Sequence, residues 1–111
     1  MYSFKNQRIY YYKILITIQK IVNLFIFSMF SVLFPGQGSQ SVGMGTNLYE
    51  KYDYVKLLFE KADDILQSSI SKIILEGPKN LLDKTENTQP AIFLISYCIQ
   101  EVIKRETSFN L

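Results

Sequence analysis

Residues 30–34, FSVLF, are a short apolar, partly β-branched run that stops at Pro35-Gly36. This junction constrains the fold more than any other part of the chain. Proline cannot donate to a sheet ladder, so a strand over Phe30–Phe34 must end there. Gly36, Gly38, Gly43 and Gly45 follow within ten residues. They let the backbone take positive φ or pass close to another group. A buried strand, a tight glycine turn and then helices form the arrangement by which α/β proteins set backbone N–H groups at the carboxyl edge of a sheet. The class predicted is therefore α/β.

The glycine spacing excludes several phosphate and nucleophile motifs. Gly36-Gln37-Gly38 begins a dinucleotide fingerprint, but position 41 is Ser41. Gly43 is followed by Met44, not the Lys-Ser/Thr of a P-loop. Neither Ser39 nor Ser41 has the flanking glycines of a G-x-S-x-G elbow. Ser39 reads as a turn or capping hydroxyl.

Helical periodicity follows. Over Leu48–Gln67 the residues Val55, Leu58, Phe59, Ala62, Ile65 and Leu66 form one apolar stripe. Glu50, Lys51, Lys56, Glu60, Lys61 and Asp64 lie off it. Residues 69–76, SISKIILE, predict a shorter helix closed by Gly77-Pro78, and Asn80–Lys84 a further turn. Pro90 suits the first position of a helix over Pro90–Arg105, preceded by Thr88 and Gln89. That helix is apolar nearly all round: Ala91, Ile92, Phe93, Leu94, Ile95, Tyr97, Cys98, Ile99, Val102 and Ile103. Such a helix belongs inside a larger body. A chain of 111 residues can hardly enclose it, so a partner or further chain is implied. Cys98 reads as inert packing.

Charge and residue types narrow the chemistry. Twelve Lys plus Arg against ten Asp plus Glu give a net charge of +2, which points to no nucleic-acid partner. There is no histidine and one cysteine. Those counts remove the commonest base and metal ligand and leave no disulfide framework or metal cluster. A reducing compartment, the cytoplasm, is expected.

Residues 1–29 have a different character. Residues 1–30 hold no Asp, Glu, Gly or Pro. Three readings stay open. A membrane-associating segment over residues 9–34 is one, although Gln19, Lys20 and Asn23 interrupt the roughly 20 apolar residues that a spanning helix needs. A signal peptide with Lys5, Arg8 and Lys13 as its basic region is another, but no small-x-small cleavage site follows. The third is translated upstream sequence of AT-rich codon bias, with Met29 as the original start. The expected organisation is an apolar extension over 1–29, a partial domain over 30–105 and a tail over 106–111.

FSVLFPGQGSQSVGMG at 30–45 and GPKNLLDKTENTQPAI at 77–92, with the helices between them, resemble the amino-terminal part of malonyl-CoA:acyl carrier protein transacylases. The same pattern opens the acyltransferase domains of polyketide and fatty acid synthases. FPGQGSQ followed about fifty residues later by TQPA is a specific pair. The resemblance implies a hydrolase-like α/β core, of which this chain would hold one strand, Phe30–Phe34, and three or four helices. It implies that the backbone N–H of Gln37 forms part of an oxyanion hole, with Gly36 and Gly38 allowing the turn. Gln89, the glutamine of TQPA, would lie near the cleft as a substrate-side residue.

The implied chemistry is transfer of malonyl from coenzyme A to acyl carrier protein in fatty acid biosynthesis. Coenzyme A thioester is then the substrate, and neither cofactor nor metal is needed. The family's nucleophile is a serine in Gly-His-Ser-Leu-Gly, its base a histidine, and an arginine pairs with the malonyl carboxylate. No such elbow and no histidine occur in this sequence, and Arg8 and Arg105 lie outside any matching context. The chain alone is expected to be inactive; the alternatives are a small membrane-associated or interaction protein, or the remnant of a non-functional gene.

Overall fold

Tyr49 and Phe59 meet edge to face, with ring centroids 5.1 Å apart. In one continuous helix, ten residues would separate them by about 15 Å along the axis. The expected helix over Leu48–Gln67 is therefore broken. In the computed structural model, which describes residues 13–21 and 31–108, Tyr52 takes an extended conformation at φ −122° and ψ 116°. It closes one helix and opens the next. Its N–H donates to the Leu48 carbonyl, and its own carbonyl accepts from Val55 N–H at 3.0 Å. Folding back at Tyr52 lets Tyr49 cover Phe59, which is 1% exposed.

The chain divides into two compact units, Met1–Leu33 and Phe34–Leu111. In the first, residues 13–21 form helix α1, with every residue exposed, and Thr17 Oγ1 donates to the Lys13 carbonyl. Among the described residues, no helix is long and apolar enough to cross a membrane.

The second unit is helical: α2 Thr46–Lys51, α3 Asp53–Leu66, α4 Ile70–Glu76, α5 Lys79–Leu82 and α6 Thr85–Glu106. The break at Tyr52 makes five helices where three or four were expected. Val55 and Phe59 of α3, Ile70 and Ile74 of α4, Leu82 of α5, and Ala91, Leu94 and Cys98 of α6 form one buried cluster. The α3 stripe is buried only in its first half. Ile65 and Leu66 at its carboxyl end stay exposed, at 80% and 43%.

Local polar contacts turn the corners. Gln67 ends α3 in the left-handed region at φ 50°. Asp63 then accepts the Ser71 N–H at 2.8 Å, together with the Ser71 hydroxyl, which satisfies a donor in the first turn of α4. Gly43 N–H donates to the Ile74 carbonyl at 2.7 Å and ties the glycine loop to the end of α4.

Two further expectations fail. The strand at Phe30–Phe34 is absent over residues 31–34, and Phe30 lies outside the described residues. Residues 31–36 carry no regular structure, and Leu33 is 90% exposed. A strand exists only through ladder bonds to a neighbour, and among the described residues no strand is present to supply them. The described part is thus all-helical.

The second failure is the start of α6. Pro90 is the sixth residue of that helix, not its first. Asn87 and Thr88 look like turn residues in the sequence. Here they are helical, and their side chains reach back to the open end of α5. Asn87 Nδ2 donates to the Leu81 carbonyl at 2.9 Å, and the Thr88 hydroxyl donates to the Leu82 carbonyl. These two contacts satisfy the last carbonyls of α5 and fix α6 one and a half turns before the proline.

Candidate active site

Gly36, Gln37, Gly38 and Ser39 make one tight turn. Ser39 N–H donates to the Gly36 carbonyl at 3.3 Å, and the Ser39 hydroxyl donates to the same oxygen at 2.8 Å. Gly38 has φ +106°, the sign that a type II turn demands at its third position. Of the two uses expected of the Ser39 hydroxyl, turn or cap, the structure has the turn.

The turn borders a cleft of about 370 Å³. Phe34, Pro35, Gly36 and Gln37 form one wall. The other is a single face of α6: Gln89, Ile92, Phe93, Ser96, Tyr97 and Gln100. That spacing is helical, and it leaves the opposite face, with Ala91, Leu94 and Cys98, for the core. The two faces explain why α6 is apolar nearly all round. Phe93 and Tyr97 stack with rings 10° from parallel and stay largely exposed, as the sequence led one to expect of a helix this chain cannot enclose.

Three of the four residues singled out in the sequence therefore meet in one cleft: Gly36, Gln37 and Gln89. Gly38 is not among the lining residues; it shapes the turn. The backbone N–H of Gln37 has no acceptor among the described residues. Free backbone donors at the edge of an apolar cleft can stabilise negative charge that develops on a bound group.

The turn is held to the corner between α5 and α6. Gln37 Nε2 lies 3.4 Å from Thr85 Oγ1. Gln40 Oε1 accepts the Gly38 N–H at 2.8 Å, and Gln40 Nε2 donates to Asp83 Oδ1 at 3.1 Å. Asp83 also pairs with the Lys79 ammonium. The hydrogen bond from Lys79, and next that from Gln40, hold the Asp83 carboxyl below its ordinary value. Cys98 is not in the cleft. Burial, and secondarily the charge of Glu101, push its thiol up to about 11, so it is no nucleophile at neutral pH.

The sequence matches the acyl transferase domain family over residues 31–106. The chain belongs to that family. Both motifs, and every residue lining the cleft, fall inside the matched acyl transferase span. The malonyl CoA-acyl carrier protein transacylase of Bacillus subtilis is 44% identical over 77 residues, 69% of this chain and 24% of that protein. The acyl-carrier-protein-S-malonyltransferase of Bartonella henselae superposes with a TM-score of 0.65 at 42% identity, covering 69% of this chain and 24% of that one. A malonyl-transacylase solved in complex with a type II polyketide synthase acyl-carrier protein gives a TM-score of 0.63 at 37% identity, over 66% and 24%. The chain thus spans about a quarter of the length of the curated relatives it matches. It resembles a piece of an acyl transferase domain.

The sequence missed Gln40, Asp83 and Thr85 as site-forming residues. Gln40 and Asp83 lie within the two stretches that carry the resemblance, but 43 positions apart, and nothing in the sequence marks them as a pair. Ser96 and Gln100 did carry a signal. With Gln89 they are the polar positions at i, i+7 and i+11 on an otherwise apolar helix.

Proposed function

We propose that residues 31–106 supply the oxyanion-stabilising part of a malonyl-CoA:acyl carrier protein transacylase site, serving fatty acid biosynthesis. One observation carries this reading: Phe34–Gln37 of FPGQGSQ and Gln89 of TQPA, about fifty residues apart, line a single cleft at which the Gln37 N–H has no partner among the described residues. In this reading the nucleophile attacks the thioester carbonyl, and the Gln37 N–H donates to the oxygen as it gains charge. The malonyl group leaves coenzyme A for the enzyme and then passes to the carrier protein's thiol. Gly36 keeps the backbone close to the cleft, and Gln89 faces the acyl chain from α6. Nucleophile and base come from the rest of the domain, since this sequence has no histidine. No cofactor enters, because the coenzyme A thioester is the substrate. The finer fold proposed is a hydrolase-like α/β core in which residues 30–34 become a strand once a neighbouring strand pairs with them. A cytoplasmic location suits the single, buried, reduced cysteine.

The test is a chimera in which residues 31–106 replace the matched segment of the Bacillus subtilis transacylase. Malonyl transfer to acyl carrier protein is expected. Gln37→Pro in that chimera removes the N–H yet suits a type II turn, whose second position favours proline. It should lower kcat by about 10²–10³, and Gln37→Ala, which keeps the N–H, should not. Equal rates for the two variants refute the reading. The 111-residue chain by itself should transfer no malonyl.

A further inference from the structure

We propose that Gln40 is a positioning residue, whose side-chain amide clamps the Gly36–Ser39 turn to Asp83 and so fixes the direction of the Gln37 N–H. The importance of that direction rests on the oxyanion reading; the clamp itself does not.

The geometry is a two-sided use of one amide. Gln40 Oε1 takes the Gly38 N–H at 2.8 Å, inside the turn. Gln40 Nε2 gives a hydrogen to Asp83 Oδ1 at 3.1 Å, on the residue that closes α5. The peptide between Gln37 and Gly38 is the central one of the turn. Its N–H is the group that Gln40 holds, so releasing it frees that peptide to flip; the neighbouring Gly36–Gln37 peptide, which carries the Gln37 N–H, is then left with only the two bonds from Ser39 to the Gly36 carbonyl to set its direction. The alternative tether, Gln37 Nε2 to Thr85, lies at 3.4 Å, beyond the usual range for such a bond. Lys79 holds the far oxygen of Asp83 and orients the carboxylate toward Gln40. Gly38 adds to the need for a clamp. A Cβ built on Gly36 or on Gly38, which sits at φ +106°, meets no heavy atom within 4 Å, so neither glycine is pressed on that side by a packed neighbour. The clamp is thus geometric: exposed polar contacts of this kind add little to global stability.

The full chain tests this. Residual dipolar couplings in a weakly aligned sample read N–H direction, and amide exchange followed by mass spectrometry reads the turn at low concentration. Gln40→Leu should shift the Gln37 and Gly38 couplings and speed Gly38 exchange roughly two- to tenfold, with α3 and α6 couplings unchanged. Gln40→Glu keeps the acceptor for Gly38 but faces Asp83 with a like charge, so it should disturb the turn as well. Adding Asp83→Asn to Gln40→Glu reverses donor and acceptor across the pair and should restore the native couplings and exchange. Loss on Gln40→Leu with rescue by the double variant supports the clamp. Unchanged Gln37 and Gly38 signals in Gln40→Leu, or no rescue, overturn it. Should the clamp hold while Gln37→Pro costs the chimera nothing, the oxyanion reading alone falls.

Discussion

Gly45 lies directly against Ile95 of α6: a Cβ built on Gly45 would stand 2.5 Å from Ile95 Cδ1. Gly45 also caps α2 in the left-handed region, at φ 78°. Both facts require glycine. They join the end of the glycine loop to the helix that forms the far wall of the cleft. Ile95 can yield by rotating its terminal carbon, but the backbone angle cannot change without moving α2. Gly45→Ala is expected to cost about 1–3 kcal/mol, read as a lower urea midpoint at constant slope.

Phe59 is the largest fully buried side chain among the described residues. Tyr49 from α2 covers its ring, and Gly45 lies 3.9 Å from its edge through a built Cβ. Truncation leaves a cavity that two rigid helices can hardly close. Phe59→Ala should cost about 3–5 kcal/mol. That is a large share of the roughly 5–15 kcal/mol of an ordinary domain, so the expected outcome is loss of the cooperative urea transition.

Much of this packing was legible because helices announce themselves by period. Val55 and Phe59 on α3 and Ile70 and Ile74 on α4 lie where apolar spacing puts them. Tyr52 did not show itself, because a tyrosine suits a helix as well as a break, and only the pairing of Tyr49 with Phe59 decides. The start of α6 was hidden by residues with two uses: Asn87 and Thr88 cap the end of α5 while remaining helical. The strand at residues 30–34 was read from real β-character, but a ladder needs a neighbour. The cleft was half legible. Gln37 and Gln89 were singled out within their motifs, whereas Gln40, which ends FPGQGSQ, is joined to Asp83 only by the fold.

Cys98 offers a stability probe. Its thiol is fully buried and held up to about 11, first by burial and then by Glu101. A raised value keeps the group protonated throughout the neutral range, so neither access nor thiolate supports reaction. The native chain should resist a thiol-specific reagent at pH 7.5. Rapid labelling should appear only with urea, in parallel with the unfolding transition. Fast labelling without denaturant would show that α6 opens from the core.

The carboxyl of Asp83 is held below its ordinary value of 3.8 by Lys79 and then Gln40. A depressed folded value means that the contact is fully present above the ordinary value. It is lost as pH falls through the lower, folded one. The Gln40 side-chain amide resonance should therefore stay constant from pH 7 down to the ordinary carboxylate range and move only below it. Asp83→Asn should abolish that movement.

Phe93 and Leu94 are neighbours in sequence with opposite expected outcomes. Phe93 is 73% exposed on the cleft face of α6, and Leu94 is 7% exposed on the core face. Removing Leu94 forfeits packing in the buried cluster that joins α3, α4, α5 and α6, so Leu94→Ala should cost about 2–5 kcal/mol. Phe93 has no such packing to lose, and with Tyr97 it presents stacked rings to water. Exposed apolar surface of that kind promotes association. Phe93→Ser should leave the unfolding free energy from urea titration within about 0.5 kcal/mol of the parent and raise the monomer fraction in size-exclusion chromatography. If Phe93→Ser instead destabilised the chain as much as Leu94→Ala, the cleft face would be part of the core, and the open wall against which Gln37 stands would not exist in solution.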